Sequence, residues 1–299
     1  MNQVCAAAPG VNDPDGLTAA LLLLEQRFRQ SIATVPGGVV SYRSCGRETG
    51  PAIVLLHGIG SGGASWLHCA LALEQHARVI AWDAPGYGGS TALDNTAPSA
   101  ADYAARLEEL LAALGIEECL LVGHSLGAIT AAAYANAAES GKRVRQLVLI
   151  SPAQGYGAPE KRERAAQVAA ERLNTLASLG VLGMAEQRSA RTVSSQAGPA
   201  ARAWARWNMS RLHTGGYTQA VHMLCGDDIR NYLPPAMPGA VFCGSLDTVT
   251  TPVDSRALAA EYNFPFGLID DAGHACYIEQ AAVVADGIRN IYFRTFKTL

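Results

Sequence analysis

Short, uninterrupted apolar runs that alternate with helical stretches constrain the fold of this chain most strongly. The pattern begins near residue 51, and the runs cover residues 52–56, 78–82, 119–122 and 145–150. A strand that is buried on both faces, as in a parallel sheet, needs such an unbroken run. The alternation therefore predicts the α/β class, with a mostly parallel central sheet flanked by helices. We expect residues 38–45 to add an antiparallel strand at the edge of this sheet.

One segment without strand patterns interrupts the alternation between residues 154 and 235. Helices are predicted there over residues 158–179 and 200–212. Strands at 240–243 and 266–269 and a final helix at 277–293 then restore the pattern. We therefore predict three parts: an N-terminal leader and helix (1–36, with the helix at 17–30), an α/β core (37–153 and 236–299) and an inserted all-helical cap (154–235).

The composition excludes several classes of protein. Hydrophobic residues make up 49% of the 299 residues and charged residues 16%, which is typical of a globular chain rather than a disordered one. The net charge of −3 argues against a nucleic-acid binder, since such proteins usually carry a concentrated basic face. The longest apolar run, residues 17–24, is far shorter than a membrane span. We predict a small-molecule substrate and neither a nucleic-acid nor a membrane partner.

Cysteine usage and the first residues predict a cytoplasmic protein. The seven cysteines are an odd number, are widely scattered and form no C-x-x-C pair. This pattern favours reduced thiols and predicts no metal site. The first basic residue is Arg27, so the cationic segment that begins a secretory signal is not seen.

The strongest local motif is Gly123-His124-Ser125-Leu126-Gly127, which matches G-x-S-x-G between a predicted strand and a predicted helix. A sharp strand-to-helix turn of this kind exposes the serine hydroxyl and points the first free helix amides toward a bound carbonyl. Ser125 is therefore the predicted nucleophile. The alternative is an ordinary Gly-Ser turn.

A serine nucleophile needs a histidine base, and three histidines follow Ser125. His213 and His222 fall in the helical insertion, whereas His274 falls in a loop between the last strand and the last helix. Because α/β sheets place their sites at the carboxyl ends of strands, His274 is the predicted base.

The predicted acid is Asp247, which closes the preceding strand in the sequence Gly244-Ser-Leu-Asp247. An alternative role for Asp247 is a helix N-cap. Asp254 is expected inside the next helix, while Asp270 and Asp271 lie very near His274 along the loop.

A loop rich in glycine, His57-Gly58-Ile59-Gly60, follows the first buried strand. We predict that the amides of Ile59 and Leu126 form an oxyanion hole. The loop lacks the patterns of nucleotide-binding loops, so we expect no cofactor.

Together these motifs resemble the α/β-hydrolase fold superfamily, in its serine hydrolase branch with a helical cap. The resemblance covers residues 38–295 and rests on HG at 57–58, D-x-P-G-x-G-x-S at 83–90, GHSLG, GSLD and GH in the family's order. It implies Ser125 as nucleophile, Asp247 as acid and His274 as base, while His57 and His124 would brace loops. The insertion lies where the family carries its cap. Residues 57–66 are also similar to the oxyanion loop of meta-cleavage-product hydrolases, which cut carbon–carbon bonds.

Pocket residues are expected from the insertion and the nearby core. Five apolar side chains either line a substrate pocket or form cap core: Trp66, Trp204, Trp207, Met209 and Met223. Arg202, Arg206 and Arg211 are candidate ligands for a substrate carboxylate.

The predicted function is hydrolysis of a small, largely apolar carboxylic ester or lactone through an acyl-enzyme. The first alternative is a carbon–carbon bond hydrolase, and the second is a receptor that keeps the triad but signals through its cap. A homodimer is left open.

Overall fold

A single eight-stranded sheet forms the centre of the computed structural model, which describes residues 16–137 and 140–296. The predicted leader is residues 1–16, and all of it except Gly16 lies outside the described residues. The strands are β1 (Gln30–Val35), β2 (Gly38–Gly46), β3 (Ala52–Leu56), β4 (Arg78–Trp82), β5 (Cys119–His124), β6 (Val144–Ile150), β7 (Gly239–Gly244) and β8 (Phe266–Ile269). Their spatial order is β1-β2-β4-β3-β5-β6-β7-β8.

The sheet is mostly parallel, which confirms the predicted class. Strands β3 to β8 pair in parallel, whereas β2 pairs antiparallel with both β1 and β4. The predicted antiparallel strand therefore exists, but the prediction that it forms the edge was wrong. The edge strand is β1, which joins β2 through the two-residue turn Pro36-Gly37 because Val35 pairs with Gly38. The predicted helix at 17–30 accordingly ends at Arg27.

Helices cover both faces of the sheet. The helices of the core are α1 (Leu17–Arg27), α2 (Leu67–Leu73), α3 (Ala100–Ala113), α4 (Leu126–Asn136), α8 (Pro252–Glu261), α9 (Cys276–Glu279) and α10 (Ala281–Phe296). Apolar side chains of α3, α4 and α8 belong to one buried cluster, and those of α1, α2 and α10 belong to a second. The fully buried strand β3 contributes alternate residues to both clusters, as its unbroken apolar run predicts.

Three further helices lie between β6 and β7, namely α5 (Arg162–Arg188), α6 (Pro199–Ser210) and α7 (Thr214–Gly226). This insertion leaves and rejoins the core at adjacent points. Gly155 and Asp228 form an isolated antiparallel bridge, and the Ile229 amide donates to the Gln154 carbonyl at 2.9 Å. The proposed cap boundaries, 154–235, stay a prediction.

Helix α5 is folded back on itself. Gly180 interrupts it with φ 64° and ψ −178°. Arg188 Nη1 lies 3.3 Å from Glu171 Oε1, although the two residues are 17 positions apart. Seventeen residues of straight α-helix would span about 25 Å, so the chain must reverse between them. A non-glycine residue rarely adopts the backbone angles of Gly180.

Within residues 16–137 and 140–296, every helix is too short or too polar to cross a lipid bilayer. The same residues contain no group of three or more His, Cys, Asp or Glu side chains arranged to hold a metal ion.

Candidate active site

Ser125 occupies a strained turn between β5 and α4. Its φ is 52° and its ψ is −116°, and its amide donates to the Ile150 carbonyl at 3.0 Å. Two glycines allow this close approach. A Cβ on Gly127 would lie 2.6 Å from the Leu56 carbonyl oxygen, and one on Gly123 would collide with the Gly127 carbonyl. Strained backbone angles of this kind persist only where the surrounding structure enforces them.

His274 and Asp247 are paired in the loops that follow β8 and β7. His274 Nδ1 lies 3.0 Å from Asp247 Oδ2, and both side chains are almost fully buried. The amides of Val249 and Thr250 donate to Asp247 Oδ1 at 2.7 and 3.0 Å. Burial alone would raise the pKa of Asp247, but the charge and hydrogen bond of His274 and the two amides outweigh it and hold the pKa far below its usual range.

The sequence did not predict Thr250, which contacts both members of this pair. Its hydroxyl oxygen lies 2.9 Å from Asp247 Oδ2, 3.1 Å from His274 Nδ1 and 2.9 Å from the Ser151 carbonyl oxygen. A hydroxyl carries one proton, so it can donate to only one of the two oxygens at a time. Thr250 thereby ties the pair to the loop that follows β6. Its place three residues after Asp247 was the only signal in the sequence.

The two residues predicted for the oxyanion hole are Ile59 and Leu126, and both lie near Ser125. Ile59 lines the cavity at Ser125, and its carbonyl accepts a hydrogen bond from the Tyr87 hydroxyl at 3.0 Å. Leu126 is the first residue of α4, whose first-turn amides have no partner within the helix. His57 fixes the same loop, because its Nδ1 donates to the Gly58 carbonyl and its Nε2 accepts from the Ala84 amide.

His124 is a buried, neutral imidazole that lines the same cavity as Ser125. Its Nε2 donates to the His274 carbonyl at 2.9 Å, which leaves Nδ1 without a proton and without a hydrogen-bond partner among the described residues. Burial, with a contribution from the neighbouring His274, lowers its pKa to about 3. His124 therefore contributes no charge to the site near neutral pH.

A cavity of about 100 Å³ contains Ser125 and His274 and reaches the inserted helices. Met209 lines it, but Trp66, Trp204, Trp207 and Met223 are not among its described lining residues. Trp66 stacks on Tyr277, Trp204 stacks on Trp207 with ring centroids 4.9 Å apart, and Met223 lines a smaller void behind Leu126. The three tryptophans thus pack against other side chains of the protein, which is the alternative to lining the pocket.

Three arginines that the sequence analysis did not single out line this cavity instead: Arg172, Arg188 and Arg191. The arginines that it did single out lie elsewhere. Arg202 donates to carbonyls of residues 194, 195 and 197, Arg206 pairs with Glu186, and Arg211 lies over the Trp207 ring. No spacing rule distinguished the two sets, because the packing of the inserted helices determines which arginines line the cavity.

The other candidate acids and bases have separate contacts. Asp254 is exposed and accepts a hydrogen bond from the Thr251 hydroxyl at 2.7 Å. Thr251 is the N-cap residue of helix α8. His213 contacts the Gly88 carbonyl, and His222 lines a separate surface depression. The predicted residues that the structure brings close together are Ser125, Asp247 and His274, which follow the carboxyl ends of β5, β7 and β8.

The sequence profile of the α/β hydrolase fold matches residues 51–281, which is well over half of the chain. The chain belongs to the α/β hydrolase fold family. Solved members have the same architecture. An esterase from Thermogutta terrifontis superposes with a TM-score of 0.77 at 24% identity, over 89% of this chain and 99% of the esterase. An enol-lactonase from Burkholderia xenovorans superposes with a TM-score of 0.76 at 25% identity, over 87% and 98% of the two chains.

Curated sequences match this chain over shorter segments. RutD of Escherichia coli, whose name assigns it carbamate hydrolysis, is 40% identical over 79 residues, which are 26% of this chain and 29% of RutD. An uncharacterized protein of Mycobacterium tuberculosis is 38% identical over 118 residues, or 40% of this chain and 33% of that protein. This chain thus spans about a third or less of the length of either relative.

Proposed function

We propose that this α/β hydrolase is a cofactor-independent serine hydrolase that cleaves a small carboxylic ester or lactone. One observation carries the proposal. The Asp247–His274 pair and the strained Ser125 open into one cavity, beside the loop that holds Ile59. This combination supplies a nucleophile, an oriented base and amide donors, which are the parts that acyl transfer needs.

In the proposed mechanism, the Ser125 hydroxyl attacks the substrate carbonyl while His274 Nε2 takes its proton. Asp247 accepts the hydrogen bond from His274 Nδ1 and stabilises the imidazolium that forms. The amides of Ile59 and Leu126 stabilise the oxyanion. His274 then protonates the leaving alcohol, and a water activated by the same histidine releases the acid from Ser125.

The cavity and the relatives support an ester or lactone as substrate. At about 100 Å³ the cavity is smaller than the roughly 300–1,000 Å³ of sites for drug-sized ligands, which favours a short acyl group. The names of the two solved relatives assign them ester and enol-lactone chemistry. A small-molecule substrate, a cytoplasmic location and the absence of nucleic-acid and membrane partners belong to the same proposal.

Labelling and mutation of Ser125 test the nucleophile. A fluorophosphonate should add covalently at Ser125, and Ser125→Ala should abolish the label and lower kcat by about 10⁴-fold or more. Ser245→Ala is the matched control, because Ser245 lies on the same sheet edge but outside the cavity lining, where it accepts the Asp271 amide. Labelling of another serine with Ser125 unmodified would contradict the assignment.

A substrate panel tests the reaction class. Short-chain esters and lactones should turn over repeatedly with no partner present. Faster loss of a conjugated ring-cleavage dienone than of any ester would instead establish the carbon–carbon alternative. A single turnover on every substrate would favour the receptor alternative.

A further inference from the structure

Three arginines of the inserted segment line the cavity that contains Ser125. Arg172 comes from the first part of α5, Arg188 from its last turn, and Arg191 from the short turn that follows. None of the described residues that line this cavity is acidic. Three positive side chains therefore share a small space with neutral and apolar ones.

These charges are poorly compensated by the protein. Arg172 is half-buried and donates to the neutral Tyr217 hydroxyl at 3.2 Å. Arg188 forms an ion pair with Glu171, whose side chain is 56% exposed. Among the described residues Arg172, which is half-buried, and Arg191, which is exposed, form no ion pair. Because a partly buried charge without an acidic partner, as at Arg172, is costly, such a cavity favours an anionic ligand.

We propose that these arginines bind a carboxylate at the far end of the acyl group, so that the substrate is a monoester of a small dicarboxylic acid or a lactone that bears a carboxylate. The proposal rests on the proposed serine hydrolase function and replaces the largely apolar substrate expected from the sequence. The reacting carbonyl would lie at Ser125, which lines the same cavity as the three arginines.

The planar guanidinium suits this role, because its fork of N–H donors matches a carboxylate. The Tyr217 hydroxyl holds Arg172 in place without neutralising it. The arginines would therefore select the acyl group and fix its orientation, while the chemistry at Ser125 stays the same for acidic and neutral esters.

A pair of substrates tests this assignment. Monoethyl glutarate carries a terminal carboxylate, and ethyl 5-methylhexanoate replaces that carboxylate by a neutral group of similar shape. Wild-type protein should favour the acidic ester by about tenfold or more in kcat/KM, the scale of charge-assisted hydrogen bonds. Arg172→Gln and Arg191→Gln should each remove much of this preference, because kcat/KM should fall by a larger factor for the acidic ester than for the neutral one.

Arg206→Gln is the matched control, since Arg206 is also a cap arginine but pairs with Glu186 outside the cavity lining. Arg206→Gln should leave kcat/KM unchanged for both esters. Equal kcat/KM for the two esters in wild type, or equal losses on both esters in the Arg172 and Arg191 variants, would overturn the carboxylate site while leaving serine hydrolysis intact.

Binding without turnover separates this proposal from the proposed function. Glutarate titrated calorimetrically into Ser125→Ala should bind, and the added Arg172→Gln change should abolish that binding. If neither ester reacts and the phosphonate does not label Ser125, the proposed function is wrong. The glutarate titration still tests, by itself, whether the arginines bind an anion. Failure of glutarate to bind would overturn the site, as would inorganic phosphate that competes equally well.

Discussion

At the scale of single residues, the surroundings of Asp247 explain how a deeply buried carboxylate stays ionised. Burial favours its neutral form, but two backbone amides and His274 donate to it within 3.0 Å. The carboxylate is thus ionised throughout the neutral range, and it selects the His274 tautomer that leaves Nε2 free to accept a proton.

Asp247→Asn tests this role. The amide would keep the side chain's shape but could present N–H to His274 Nδ1, which favours the wrong tautomer, so kcat should fall by about 10⁴-fold. The control is Asp254→Asn, which should show near wild-type rates in steady-state assays. Asp254 is exposed, and its side chain hydrogen-bonds with Thr251 at the N-terminus of helix α8. A dead Asp254→Asn beside an active Asp247→Asn would show that the acid was misassigned.

The chain order of motifs was enough to single out Ser125, Asp247 and His274 as candidates, because a strand-to-helix turn and two strand ends have recognisable local signatures. The residues that line the cavity had no such signature. Trp204 and Met209 sit on the same helix, yet only Met209 is among the lining residues. Which face of α6 meets the cavity depends on how the inserted helices pack, and no local pattern encodes that packing.

At the scale of elements, the predicted strands have a recognisable local signature in the sequence, whereas the missed strand, β1, has none. Strands buried on both faces, such as β3, were visible as unbroken apolar runs. Strand β1 was missed because it is an edge strand with mixed exposure, in which Ile32 is 60% exposed. Helix α7 was missed because Gly215 and Gly216 in its first turn weaken the helical pattern.

The reversal of α5 depends on one glycine, and this can be measured. A Cβ at Gly180 would meet no atom within 4 Å, so Gly180→Ala adds backbone strain without a collision. We expect a loss of about 1–3 kcal/mol in the free energy of unfolding, measured by urea denaturation. The change should also weaken the preference for monoethyl glutarate, since Arg172 and Arg188 lie on opposite sides of the reversal.

Gly215→Ala is the control for Gly180→Ala. Gly215 also has open space around its Cβ position, but it lies in α7 without a positive φ. Alanine there should leave the unfolding free energy unchanged or slightly higher. Equal stability of the two variants would show that the backbone at Gly180 carries no strain.

At the scale of the whole molecule, two buried histidines link stability to pH. Burial lowers the pKa of His57, and burial with the charge of His274 lowers that of His124 to about 3. In the unfolded chain a histidine binds a proton below about pH 6.5. Between pH 3 and 6.5 the unfolded state therefore holds more protons, and the free energy of unfolding should rise with pH across this range.

His124→Gln tests that linkage, since glutamine can still donate to the His274 carbonyl but does not titrate. Each such group contributes a slope of up to about 1.4 kcal/mol per pH unit. Urea unfolding curves between pH 4 and 6 should give a correspondingly flatter dependence for the variant. Parallel curves for the variant and the wild type would contradict a buried, neutral His124.

The bridge between Gly155 and Asp228 makes the inserted helices an exchangeable module. Because paired residues on antiparallel strands lie about 5 Å apart, the insertion begins and ends at almost one point of the core. A foreign segment of another length could be grafted there without changing the span between the flanking strands, and the entropy of closing a longer loop grows only slowly with its length. Chimeras that join this core to caps of other relatives could then acquire new substrate ranges, with Ser125, Asp247 and His274 left in place.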